Sequence, residues 1–197
     1  MQERKSLPPA MRRRFRTGRA CLDLVHTGGE GEHAAWEIVH TATDLAHWLG
    51  VILELPEVTA EDADLAAFRT LRAALSRAAF GAADGNPPGP ADIAAVNAAA
   101  AVPPLVPRLG VDGTRTYPSP TARAALSTLA RDAVDLFSGP LATRIRVCAS
   151  DTCGLLFVDA SRPGRRRWCS MDRCGNLAKV RAYRDAQAAD TTAPHRA

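Results

Sequence analysis

Apolar residues along the chain recur mainly at helical spacing. Thr41 followed by Asp44 is a helix-start signature, with Leu45, Trp48 and Leu49 on the apolar side and Gly50 as the expected end. Leu65, Phe68, Leu71 and Leu75 recur three and four apart, which predicts a helix capped by Thr59 and reaching about Phe80. Pro90 and Asp92 open a third helix running to about Ala101. A longer one follows Ser119-Pro120, with Leu126, Leu129, Ala133 and Phe137 on one face and Gly139-Pro140 as its stop. Between these, Ala20 to His26 reads as a short strand and GGEGE at 28–32 as a loop. The stretch PPLVPRLGVDGTRTYPSP reads as a hairpin with Asp112-Gly113 at its turn. No internal repeat is visible. The pattern predicts a mainly helical α+β domain over residues 14–140.

From residue 144 the pattern changes character. Cys148-x4-Cys153 is followed by a 15-residue spacer and then Cys169-x4-Cys174. Two short-range pairs separated by a hairpin bring four soft donors together with little chain to order, as tetrahedral zinc requires. Four thiolates leave no water position, so one structural Zn2+ is expected rather than a catalytic one. Within the spacer, Leu155 to Asp159 has strand character, Pro163-Gly164 fits a type II turn, and Arg165 to Trp168 is expected to return as the second strand. Phe157 and Trp168 are its candidate core. Beyond Cys174, NLAKVRAYRDAQAA contains no breaker and should be helical. The order knuckle, hairpin, knuckle, helix is that of a treble-clef finger, here over residues 144–188.

Composition narrows the class. A chain of 197 residues suits one domain with a small appendage, and 46% hydrophobic residues with 5% aromatics imply a core of Ala, Leu and Val. Four of the five cysteines lie within 27 positions, an arrangement suited to a metal and not to disulfides. Cys21 is left over in an apolar stretch, where a buried inert thiol is expected. The leading residues are Arg-rich but lack a signal-peptide core, and no run approaches a membrane span, so a soluble cytoplasmic protein without a membrane partner is expected.

Charge is unevenly distributed. Residues 144–184 carry ten Lys/Arg against three Asp, a net +7, while the rest of the chain sums to −3. Arg165, Arg166 and Arg167 on the hairpin, with Lys179, Arg181 and Arg184 on the helix, form a candidate clamp for a phosphate backbone. Leu177, Val180 and Tyr183 share one arc of that helix. The alternative is a zinc-stabilised module that meets a protein or RNA, or a thiol redox sensor whose oxidation expels zinc.

Other constellations carry less. His33, Glu37, His40, Asp44 and His47 would stack metal-capable side chains on one continuous helix, but Thr41 interrupts the run as a cap. Arg69, Arg72 and Arg77 would either face a pocket for an anionic effector or be ordinary solvated positions. No nucleophile triad and no phosphate-cradling glycine loop is present, and an enzyme is not expected.

The segment CASDTCGLLFVDASRPGRRRWCSMDRCGNLAKVRAYR resembles the CGNR zinc finger, through both cysteine pairs, the FVD strand, RRWCSM and CGN-x-AKVR-x-YR. Upstream, ACLDLVHT, DLAHWLG, LRAALSRAA and PADIAAVNAAAA are similar, in that order, to the ABATE domain of bacterial stress-induced transcription regulators. The resemblance implies a DNA-binding regulator with an amino-terminal domain that senses a small molecule, and it adds Asn176 of the CGN motif to the candidate nucleic-acid residues. Two positions depart from the family: Leu177 replaces the signature Arg, and His26 stands where Asn is usual. A single finger offers a small interface, so a homodimer or a helper protein is expected to complete DNA binding.

Overall fold

The computed structural model describes residues 14–191, without the side chains of residues 32, 185, 186 and 188–191; the basic leading residues 1–13 lie outside it. Ala20–Val25 is a helix, α1, and not the expected strand. Its residues of both parities are buried, Cys21, Leu22, Asp23, Leu24 and Val25 alike, so the segment has no inner and outer face. A buried run this short reads the same as helix or strand. A 3-10 turn, Gly31–Trp36, then leads to α2, Ala42–Leu53.

The expected capping box starts α2: the Thr41 side chain accepts from Asp44 N, and the Asp44 carboxylate accepts from Thr41 N. Gly50 does not end it. Val51 and Ile52 continue the buried face, and this packing outweighs the helix cost of one glycine. The helix stops at Glu54, which takes a left-handed φ of 56°.

Helix α3, Asp62–Ala83, is capped by Glu61 with Asp64 in place of Thr59. Thr59 instead forms a parallel bridge to Thr121. Leu65, Phe68, Leu71 and Leu75 are all buried, as their spacing predicts. Helix α4 is Pro90–Ala101. The hairpin β1 (Arg108–Leu109) and β2 (Arg115–Thr116) is exposed, with Gly113 at φ 78° in its turn. Helix α5, Ala122–Ser138, is capped by Thr121 and not by Ser119-Pro120. It buries Leu126, Leu129, Ala133 and Leu136, with Phe137 only half-buried. One hydrophobic core joins α1, α2, α3 and α5 and takes Val96 from α4.

After a 3-10 turn, Ala142–Arg144, strand β3 (Ile145–Val147) pairs antiparallel with β4 (Leu156–Val158), with Ile145 opposite Val158 and Val147 opposite Leu156. The finger's hairpin therefore lies one step earlier than expected, and Arg165 to Trp168 forms no strand. Its turn is the first knuckle itself, where Cys148 N donates to Leu155 O at 2.9 Å and Cys153 N to Ser150 O at 2.9 Å. A π-helical turn, Met171–Gly175, leads to α6, Asn176–Thr191.

Strand alternation divides β4 between two cores. Leu156 and Val158 join the main helical core together with Ile145, whereas Phe157, with Leu155 beside it, packs among the four cysteines and against Trp168. The open edge of β4 is covered as well: Val158 N donates to Thr17 O at 2.8 Å, and Leu156 N donates to His26 Nε2 at 3.0 Å. The finger is thus built into the side of the helical domain.

His26 is the fully buried link in this junction. Burial pushes its pKa down from 6.5 to about 4, so the ring is neutral and its Nε2 accepts. A depressed folded-state value means that stability is complete above about pH 6.5 and declines as pH falls towards about 4. The total is about 3 kcal/mol. Urea unfolding of the parent and a His26→Asn variant at pH 7.5, 5.5 and 4.5 should show the two stabilities converging towards acid. A constant difference would remove His26 from this role.

Candidate metal centre and the basic surface around it

Cys148 and Cys153 flank the tip of the β3–β4 hairpin, Cys169 follows the spacer, and Cys174 lies in the π-helical turn. All four are buried, and their sulfur atoms lie within 4.8 Å of one another. Cys153 Sγ is 3.6 Å from Cys169 Sγ, and Cys169 Sγ is 3.8 Å from Cys174 Sγ. A disulfide needs ~2.0 Å, whereas a tetrahedron with bonds of ~2.3 Å has edges of roughly 3.8 Å. The donor set and its spacing fit zinc. The Cys169 amide also donates to Cys148 Sγ at 3.4 Å, a contact suited to a thiolate ligand.

The sulfurs share protons unevenly. Hydrogen bonding from Cys169, against the opposing effect of burial, holds Cys153 down at about 5. Its partner Cys169 is pushed up by the same contact, and Cys174 is pushed up to about 11, chiefly by burial. A dication placed among them would displace those protons and hold every sulfur as thiolate. Cys21 is buried and its pKa is raised well above that of an ordinary thiol, mainly by burial, consistent with an inert core position.

The spacer is shaped by Asp159, whose signal in the sequence was only its place at the end of LLFVD. Its carboxylate accepts from Ser161 Oγ at 2.5 Å, Ser161 N at 3.0 Å and Arg166 N at 2.8 Å, and these bonds hold it below the usual carboxylate range. Arg144 donates to Ser161 O at 2.7 Å, while Gly164, at φ 61°, keeps the turn clear of that guanidinium. Ala149 N donates to Arg167 O at 2.8 Å and returns the spacer to the first knuckle.

The candidate nucleic-acid residues Arg165, Arg166, Arg167, Asn176, Lys179, Arg181 and Arg184 are all exposed. They are not equivalent. Arg166 donates to Trp168 O and Cys169 O and stacks on Phe157, so its guanidinium braces the finger. Arg167 stacks on Trp168 at 5.1 Å. Among the described residues, no arginine of the finger forms an ion pair with a carboxylate of the helical domain; the ion pairs there use Arg19, Arg72 and Arg77. Leu177, Val180 and Tyr183 form an exposed stripe along α6.

The five-residue series from His33 to His47 does not converge. Asp44 caps α2, Glu37 pairs with Arg72, and His33 packs on Trp36 and Phe80. The four cysteines are the one group of metal-capable side chains among the described residues. Arg72 is buried against Glu37 and Arg77 is paired with Asp92, so neither reading of that helix, pocket or solvated face, holds for Arg72.

Four converging cysteines on this frame define a structural zinc finger with one metal ion. The chain belongs to the ABATE family, whose model is described as "Putative stress-induced transcription regulator" and matches residues 18–140; the CGNR zinc-finger model matches residues 144–187. Both are regulator and zinc-finger types and not enzyme families. No curated protein matches the chain. Among the described residues no helix is long and apolar enough to cross a membrane.

Proposed function

We propose that this chain is a DNA-binding transcription regulator in which the finger, residues 144–188, contacts the duplex backbone and the helical domain, residues 14–140, modulates it. The observation that carries this reading is the set of exposed cations Arg165, Arg167, Lys179, Arg181 and Arg184, which have no carboxylate partners in the helical domain among the described residues. Cations held clear of internal partners are available to replace condensed counterions on DNA. Arg165 and Arg167 sit on a loop tied down by Asp159, so little ordering entropy remains to be lost on binding. The finger is a small module, and a homodimer would supply a second half-site contact. A small-molecule effector of the helical domain belongs to the same reading.

Affinity for duplex DNA should fall steeply with salt. Replacing Arg165 and Arg167 with Gln should flatten the log-log slope by about 1.8, at ~0.9 per lost phosphate contact. Arg166→Gln should instead lower zinc retention, because its guanidinium holds backbone carbonyls of the second knuckle. Fluorescence anisotropy across a salt series, on protein with one zinc per chain, provides the measurement. Binding that ignores salt, or no binding at full zinc loading, rules the reading out.

A further inference from the structure

A cleft of about 520 Å³ opens between the segment leading into α1, strand β4, the second knuckle and the start of α6. Arg14, Arg16 and Arg173 line it, against the one carboxylate of Asp172. Its apolar wall is made by Leu155, Leu156, Leu177 and Val180. Among the described residues none of the three arginines has a carboxylate ion-pair partner. Arg14 is held in place: its Nη1 donates to Trp36 O at 3.0 Å, and its guanidinium lies over the Trp36 ring at 5.4 Å. Burial, and then the charge of Arg173, lowers its pKa, as expected where two guanidiniums face one space. Asn176, the first residue of α6, lines the same wall.

The volume is that of a small-ligand site, with a few fixed cations set into an apolar lining. A polymer backbone would be met by an open surface; this cleft is bounded on several sides by one leading segment, one strand and one helix. We infer that the cleft between the leading segment and the zinc finger binds a small organic phosphate, its phosphate against Arg14 and Arg173 and its apolar body against Leu156, Leu177 and Val180. The ligand would touch the helical domain's leading segment and the finger together. The inference does not rest on DNA binding, and failure of that reading leaves it standing.

The test uses the full chain with one zinc per molecule and phenyl phosphate as probe, followed by calorimetry, with inorganic phosphate and benzyl alcohol as comparisons. Saturable binding of phenyl phosphate, at least tenfold tighter than either comparison, is expected. The double variant Arg14→Gln, Arg173→Gln should weaken it at least tenfold at unchanged zinc content. Because Arg173 adjoins a ligand cysteine, Leu177→Glu serves as an independent probe: it sits on the exposed face of α6 and should also weaken binding tenfold. Non-saturable binding, or unchanged affinity in Leu177→Glu, overturns the proposal. So does a parent chain that ignores phenyl phosphate while the double variant loses duplex DNA, which would assign these arginines to a nucleic-acid backbone.

Discussion

Replacing Cys169 with Ser is expected to strip zinc from the chain and unfold the finger beyond Asp159 while leaving the helical core folded. Cys169 touches two other ligand sulfurs, at 3.6 and 3.8 Å, so its loss removes a shared corner of the tetrahedron. Structural zinc supplies about 10–16 kcal/mol of apparent binding free energy in small fingers. Here that energy acts on a restricted region. Ile145, Leu156 and Val158 belong to the main core and keep the β3–β4 hairpin in place without metal. The second knuckle rests on a small cluster of Leu155, Phe157, Trp36, Trp168 and the sulfurs, and α6 packs chiefly on the turn at 171–175. Hydrogen exchange should therefore show fast amides from about residue 160 onwards in Cys169→Ser, with α3 and α5 still protected. Metal analysis should show well under one zinc per chain, and DNA binding should be lost. Retention of full zinc, or collapse of the entire helical core, would contradict this division.

The second large effect is expected at Arg72→Met, with a loss of about 3–5 kcal/mol. Arg72 reaches Glu37 at 2.9 and 2.6 Å and Thr27 Oγ1 at 3.2 Å, and it lies over Phe68 at 4.8 Å. Burial alone would raise the Glu37 pKa, but the Arg72 hydrogen bonds, helped by the Val39 amide, hold it below the usual value. Removing the arginine leaves that carboxylate partly buried with the Val39 amide as its remaining hydrogen-bond donor. The pair fastens the segment 27–39 to α3. Gly28, at φ 145°, allows the close approach, since a Cβ there would lie 2.6 Å from Glu37 Cα. Urea unfolding should show the single variant much weakened and the double variant Arg72→Met, Glu37→Met recovering most of the loss. A single variant within ~1 kcal/mol of the parent would mean that the ion pair is not holding this segment.

Both predictions depend on features with different legibility in the sequence. The cysteines were legible because ligand spacing is local: each pair must reach one metal through a short knuckle, and that spacing survives whatever surrounds it. The return strand at Arg165 to Trp168 was misplaced because strand character says nothing about partners. β4 had two possible neighbours, and the first knuckle, shorter than the spacer, closed the hairpin with β3. Arg72 read as either a pocket residue or a solvated one because its carboxylate partner lies 35 positions away. His26 had no sequence signal beyond replacing the family's usual Asn, and its role depends on Leu156, 130 positions distant.

By itself, the sequence determined the helices with strong periodicity, the capping box at Thr41 and Asp44, the four zinc ligands and the concentration of cations around them. These follow from bonds and spacings within a few residues of one another. The tertiary structure alone decided that α1 is a helix, that β4 serves two cores at once, and that Arg166 braces the finger while Arg165 and Arg167 stay exposed. It also decided that Arg14, Arg16 and Arg173 meet in one cleft. Those outcomes turn on which distant surfaces exclude water together, and no local pattern encodes that choice.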